Sequence, residues 1–288
     1  MSDVEKKHTQ SSIDTVRRSL EDIKATLGKY QHIDGFLGDQ GASRRDLGDE
    51  FIQEKNLIGL QDKLDAMHPA DIAAILEQMP LDERLLVWKL VRSNLDGDVL
   101  LEASDAVRQT LIADMDVQEL LAATEQLDAD EIADLAPDLP EGVIADVFRS
   151  LSETERLQLK AALSYPEDTV GALMDFEMVT VREDVSLDVV LRYLRRLEKL
   201  PPNTDKLFVV DRREILKGAL SISDLIVTSP ETKVCDVMST AVVNFNPDQE
   251  AESAAHAFER YDLVSAPVVD AHNRIVGRMT ITDIVDYI

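Results

Sequence analysis

A stretch near the C-terminus, APVVDAHNRIVGRMTITDIVDYI (residues 266–288), repeats the plan of LFVVDRREILKGALSISDLIV, which begins at Leu207. The pairing sets Val209, Val210 and Asp211 against Val268, Val269 and Asp270, Gly218 against Gly277, Ser221 against Thr280, and Asp224 against Asp283. With a second offset it continues upstream, joining Met174 to Met238, Val179 to Val243, Asp184 to Asp248 and Arg196 to Arg260. The extra residues of the first copy fall near Leu200-Pro201-Pro202-Asn203, where prolines mark a loop that absorbs an insertion. Whatever the chain folds into must therefore hold two similar halves.

Each copy reads as strand, helix, strand, strand, helix. The runs Val242 to Phe245 and Pro267 to Val269 suit strands, while Leu187, Val190, Leu191 and Leu194 recur at helical spacing. Gly277 is expected to let the chain turn tightly before Thr280-Ile281-Thr282-Asp283, a hydroxyl followed three residues later by an acid, as in a capping box. A helix start of this kind also offers free N–H groups to a phosphate.

With G-x-x-[ST]-x-x-D closing each copy, the sequence resembles CBS domain pairs. In nucleotide-binding members of that family the hydroxyl and carboxylate hold ribose and phosphate, which carries over to Ser221 with Asp224 and to Thr280 with Asp283. The same residues also explain themselves as helix caps. An anionic ligand would need help from bases, and Arg212, Arg213, Lys217 and Arg278 are the candidates.

Such help matters because the chain carries a formal net charge of −26 and a pI near 4.4. That charge argues against nucleic acid, whose binding domains need a basic face, and against anionic membrane surfaces. It favours cations or solubility. A length of 288 residues suggests about two domains, and 44% hydrophobic content supplies packed cores. The one cysteine, Cys235, rules out an internal disulfide framework and fits a reducing cytoplasm. MSDVEKKHTQ has the charges but not the apolar run of a secretory signal, and no stretch approaches the ~20 apolar residues of a membrane helix. His8, His32, His68, His256 and His272 are scattered, and neither H-E-x-x-H, G-x-S-x-G nor a P-loop occurs, so no enzyme is expected.

Ahead of the duplication, Ile13, Val16, Leu20, Ile23 and Leu27 form one apolar stripe on an expected helix within residues 1–30. Residues 31–50, with Gly35, Gly38, Gly41 and Gly48 and no periodicity, read as a flexible linker. From 51 to 163 the pattern is helical, with a second internal repeat: Asp71 onward matches Glu131 onward, pairing Ile72 with Ile132, Pro80 with Pro140 and Trp88 with Phe148. Both prolines sit where one helix stops and another starts, and Trp88 is expected in the core. Short helical hairpins stacked as a small α-solenoid fit this pattern. Residues 98–138 hold twelve acids against one base, Arg108, and Asp130 and Asp134 lie one helical turn apart. Two carboxylates so placed repel each other unless a cation sits nearby.

The order HPADIAAILEQMP, YPEDTVGALM and then a CBS pair resembles the cytosolic part of MgtE-type magnesium transporters. The resemblance implies an α+β multidomain fold, an all-α superhelical N-terminal domain (51–163) followed by tandem βαββα CBS units at 164–228 and 229–288. It implies Mg2+ held by Asp98, Asp130, Asp134, Glu250, Glu252, Asp262, Asp283 and Asp286, with Asp98 and Glu250 differing in length from the family's acids. Asp283 is assigned to metal, which leaves ATP or another adenine nucleotide to Ser221, Asp224 and Thr280. It also implies a homodimer through the CBS domains at the cytoplasmic face of the bacterial inner membrane. The membrane domain is absent, so the expectation is a truncated form or a soluble relative. The rivals are a free-standing CBS protein that senses adenine nucleotides and grips a partner through its helices, and a structural adaptor.

Overall fold

The computed structural model of the chain describes residues 17–25 and 58–288, Glu198 excepted. The linker expected over 31–50, and Ile13, Val16 and Leu27 of the N-terminal stripe, lie outside the described residues. Two compact units emerge. The first runs to Leu127 and includes Asp134–Ser150; the second holds Asp128–Ala133 and Leu151–Ile288.

The described part of the first unit is helical throughout: α1 (residues 17–25), α2 (58–65), α3 (Pro69–Glu77), α4 (Leu81–Trp88), a 3-10 turn at Ser93–Leu95, α5 (Asp96–Glu102), α6 (Asp105–Asp114), α7 (Val117–Thr124), the last two residues of α8 (Ala129–Leu135), whose first five fall in the second unit, and α9 (Glu141–Ser150). Local signals cut the helices short. His68 Nδ1 accepts a hydrogen bond from the Ala70 N–H at 3.3 Å with Pro69 at the first helical position, Pro80 precedes α4, and Asp116 with Glu119 closes a capping box on α7. Helices this short are marginal alone, so burial holds them. Ile72, Ile75 and Leu76 are wholly inside, and Trp88 is buried as expected. Packing runs from α3 to α4 and α5, from α4 to α6, from α5 to α6 and α7, and from α7 to α9. Each helix meets neighbours one or two steps along, as in helical-repeat folds.

The second unit adds α10 (Glu153–Ala162), α11 (Val170–Leu173), β1 (Thr180–Arg182), α12 (Leu187–Leu194), β2 (Lys206–Val210), β3 (Leu216–Ser221), α13 (Ile222–Val227), α14 (Ala251–Tyr261), β4 (Ser265–Val269), β5 (Ile275–Thr280) and α15 (Ile281–Tyr287). In the first copy β1 runs parallel to β2, and β2 antiparallel to β3. In the second copy β4 and β5 pair alone, with a register shift at Val268/Val269 that matches the shift at Val209/Val210. The strand expected at 242–245 is reduced to one bridge, Phe245 to Val268. Phe245 donates to the Pro267 carbonyl and accepts from the Val269 N–H, but the next rung would need an N–H from Pro267, which has none.

Neither copy completes its own core. Val170 and Met174, which lead into the first copy, pack with Phe245, Phe258, Val268, Met279 and Ile284 of the second. Val234, which leads into the second, packs with Val181, Leu187, Val209 and Leu220 of the first. Backbone hydrogen bonds fix both crossings: Asp175 and Arg278 exchange N–H and C=O at 2.9 and 2.8 Å, and Ser239 and Ala219 do the same at 2.8 and 2.9 Å. The turns after β2 and β4 add a third tie, with Leu216 N–H donating to Asn273 and Ile275 N–H to Glu214.

These crossings correct the reading of the repeat's glycines. Gly277 lies inside β5 and not in a turn, and no described glycine has positive φ. A Cβ there would meet Met174 Sδ at 2.9 Å and the Asp175 carbonyl at 3.0 Å; at Gly218 it would meet the Ser239 carbonyl at 2.5 Å. The glycines admit the crossing segment. Gly218→Ala is therefore expected to cost about 1–3 kcal/mol in urea unfolding, and more than Gly277→Ala, whose nearest obstacle is a flexible thioether. An equal or larger loss for Gly277→Ala would contradict this account.

Candidate functional site

The crossing of Asp175 over Arg278 is also the most charged place in the second unit. The Arg278 side chain is 3% exposed, and its guanidinium grips Asp175 Oδ2 through Nε at 2.8 Å and a terminal nitrogen at 2.6 Å. Asp175 Oδ1 accepts from the Glu177 N–H. Burial still pushes the Asp175 carboxyl upward, with Arg278 opposing. Around this pair stand Asp128, Asp130, Glu177 and Asp283.

Asp130, in the first turn of α8, is pushed up to about 8, chiefly by burial and then by the negative charge of Asp175. Its Oδ1 is buried with no hydrogen-bond partner. Asp283 is pushed up to about 6 by burial, against the hydrogen bonds it accepts from Thr280. It closes the capping box of α15, where the Thr280 N–H donates to Asp283 Oδ2 at 2.6 Å. Burial also raises Asp128 and Glu177, with Asp175 adding to the first and Asp128 to the second, while Lys199 opposes both.

Of the eight acids read as metal ligands, Asp130 and Asp283 are the two that feel the charge of Asp175. Asp134 follows one turn later on α8, within the first unit. Glu252 and Asp262 line a second place, a groove along α14 and α15 that also carries Asp168 and Glu259 on its rim. Glu250 is the N-cap residue of α14, and Asp98 and Asp286 are exposed on α5 and α15. Among the described residues no three His, Cys, Asp or Glu side chains stand close enough to surround a cation directly.

Sequence reasoning passed over Asp128, Asp175 and Glu177. A signal existed: Arg278 falls where the first copy has Ala219, and Asp175 where the second has Ser239, so both charge differences fall at one crossing. Asp96 was passed over as well; buried at the start of α5, it is pushed up to about 7 by desolvation and by Glu119. The proposed helpers of a nucleotide are corrected. Arg278 is committed to Asp175, while Arg212 and Lys217 pair with Asp184 and Asp211 and, with Arg213, lie at the far end of β2 from Ser221. Lys206 is the base beside Ser221, and its Nζ donates to the Ser265 carbonyl at 2.9 Å. Ser221 Oγ caps α13, accepting from the Asp224 N–H at 2.9 Å and donating to Asp224 Oδ2 at 3.0 Å.

The titration of Asp130 has a definite sign. Its folded value lies above the ordinary carboxylate range, so its contribution to stability is complete below about pH 4 and is lost as pH rises through about 8. In metal-free buffer the Asp130 contribution should lower the midpoint of thermal unfolding between about pH 5 and 8, and Asp130→Asn should flatten that slope. A wild-type midpoint that holds level across the range would show the carboxyl is not buried in this way.

Comparison with known proteins gives the site a context. The MgtE intracellular N domain matches residues 67–168, and the CBS domain matches 170–230 and 234–288. The magnesium transporter MgtE of Thermus thermophilus is 31% identical over 240 residues, 82% of this chain and 53% of that protein. The magnesium transporter MgtE of Bacillus subtilis is 26% identical over 238 residues, 83% and 53%. The chain spans about half the length of these curated relatives. A crystal structure of the cytosolic domain of the Mg2+ channel MgtE in complex with ATP matches with a TM-score of 0.74 at 31% identity, covering 83% of this chain and 98% of that one. With its helical N domain and its CBS pair both matched, the chain belongs to the MgtE family.

Proposed function

We propose that this chain is the Mg2+-sensing regulatory region of a magnesium transporter, acting on a membrane domain at the cytoplasmic face of the bacterial inner membrane. No described helix is long and apolar enough to cross a membrane, so the membrane domain is a partner in this reading. The observation that carries it is the cluster of Asp128, Asp130, Asp175, Glu177 and Asp283 around one buried guanidinium, with an orphaned oxygen on Asp130. Unpaired carboxylates in a buried place repel one another. A cation offsets that repulsion, so the compact arrangement of the acidic helical and CBS domains gains with Mg2+ concentration and loosens when Mg2+ falls. Closure holds the gate shut, and loosening opens it. The role is regulatory, not catalytic.

Asp130 and Asp283 hold the ion in this reading. Asp98, Asp134, Glu250, Glu252, Asp262 and Asp286 are further acids for additional ions. The test is limited proteolysis of the segment 164–174 across a Mg2+ titration at constant ionic strength. Protection should saturate with Mg2+ and disappear in Asp130→Ala and Asp283→Ala while both variants stay folded. Cleavage that ignores Mg2+ sinks the proposal.

Dimerisation through the CBS pair is part of the same proposal. Ile226 on α13 and its repeat-mate Val285 on α15 are 70% and 64% exposed, and Val227 and Ile288 beside them are exposed too. Matching apolar positions on both copies are what a two-fold interface uses. Val285→Asp should shift the mass measured by light scattering toward that of a monomer; an unchanged dimer would place the interface elsewhere.

A second reading has its own support. The paired hydroxyl and carboxylate of Ser221 and Asp224, with Lys206 alongside and Thr280 in the other copy, suit the ribose and phosphate of an adenine nucleotide. A proteolytic pattern that responds to ATP but not to Mg2+ would favour a nucleotide sensor with a helical partner-binding domain.

A further inference from the structure

The outer side of α12 carries a charge opposite to that of the chain. Four bases, Arg192, Arg195, Arg196 and Lys199, stand within eight residues against one acid, Glu198, the densest run of bases in a sequence of net charge −26. The fold turns them outward. Leu187 and Val190 are buried, and Leu191 and Leu194 pack on the same core, so the other side of the helix is left to Val189, Arg192 and Tyr193. These three lie at i, i+3 and i+4 on one stripe, and Arg195 and Arg196, both exposed, follow in the turn that ends the helix. Val189 and Tyr193 are 41% and 44% exposed, large groups to leave in water. Arg192 meets Asp188 at 2.8 Å in solvent, an exchangeable pair, and among the described residues neither Arg195 nor Arg196 has an acidic partner. Lys199 belongs elsewhere, since its charge opposes the raised carboxyls of Asp128 and Glu177. One base would serve the carbonyls at the helix end. Three guanidinium groups interleaved with a valine and a tyrosine exceed that need.

We propose that this face of α12 binds anionic phospholipid headgroups. The inference rests on the reading above, which puts the chain at the cytoplasmic face of the inner membrane, and it names the surface that meets the lipid. A guanidinium takes phosphate through paired hydrogen bonds, and each base held near an anionic leaflet adds to the attraction. Val189 and Tyr193 suit the boundary between headgroups and acyl chains, where tyrosine is enriched. Interleaving favours a bilayer, which offers phosphate and hydrocarbon at every point. An acidic protein surface would have to match each side chain in register. The overall negative charge of the chain does not forbid the contact, because at physiological salt a charge is felt over about 8 Å and the stripe meets the lipid locally.

The test is co-sedimentation of the full chain with vesicles of phosphatidylglycerol mixed with phosphatidylcholine, and with vesicles of phosphatidylcholine alone. EDTA is present, so that no divalent cation bridges the chain's carboxylates to the lipid. The chain should bind the first vesicles and not the second, more weakly as sodium chloride rises. Arg195→Glu with Arg196→Glu should lower the vesicle affinity at least tenfold. Arg195→Lys with Arg196→Lys should keep most of it, since a fluid headgroup layer adjusts to either base. Protection of segment 164–174 by Mg2+, measured separately without EDTA, should match the unaltered chain in both variants, which tells a lost lipid contact from a lost Mg2+ response. No binding to phosphatidylglycerol vesicles while that protection is intact would overturn this inference alone. Undiminished binding by the charge-reversed chain would overturn it as well. So would salt-sensitive self-association in place of vesicle binding, abolished by the same reversal, which would give the face to an acidic protein surface.

Discussion

A guanidinium that is almost wholly buried cannot keep its charge without a counter-ion, and the second unit is built around meeting that demand. Asp175 meets Arg278 twice through the side chains and twice through the backbone. Removing either partner would leave a buried charge uncompensated, a far larger cost than losing a surface pair. Burial is what raises Asp130 and Asp283 most, and the negative charge of Asp175 adds to it at both. The ion pair thus stands as a charged neighbour to carboxylates that burial has already shifted.

That pair exists because the two copies exchange their leading segments. Residue 175 reaches residue 278 through a crossing that glycine at 277 leaves room for, and the same frame, with Gly218, brings Ser239 to Ala219 on the other side. The backbone bonds are equivalent in the two places, while the side chains are not. Duplication supplied two identical frames, and only one received charge. A CBS copy in isolation would lack both its core partner and, in the second copy, the counter-ion of its buried arginine.

Much of this architecture was legible in the residues. The offset between the repeats located the proline loop, the fold starts helices directly after Pro80 and Pro140, Trp88 is buried, and Thr280 with Asp283 forms the capping box its spacing implied. These signals are local or periodic, and local physics decides them. The charge cluster was not legible in the same way. Asp175 and Arg278 are 103 residues apart, and neither looks unusual in a chain so rich in charge. Their meeting depends on the segment exchange, which a repeat alignment conceals by pairing Asp175 with Ser239. The missing strand at 242–245 was concealed differently: its own residues suit a strand, and the obstacle is Pro267 in the neighbouring one.

The acidic run at 98–138 looks uniform as a sequence, and the fold divides it. Arg108, its one base, is partly buried and pairs with Asp138 at 3.0 Å as well as with Asp105, so that part of the run is neutralised from within. Asp116 and Glu119 are occupied in capping α7. At Asp128 and Asp130, beside Asp175, burial instead pushes the carboxyls up toward their protonated form. An acidic protein need not respond to cations everywhere. It responds where burial has removed the water that would otherwise screen its carboxylates and where internal bases have not taken its place.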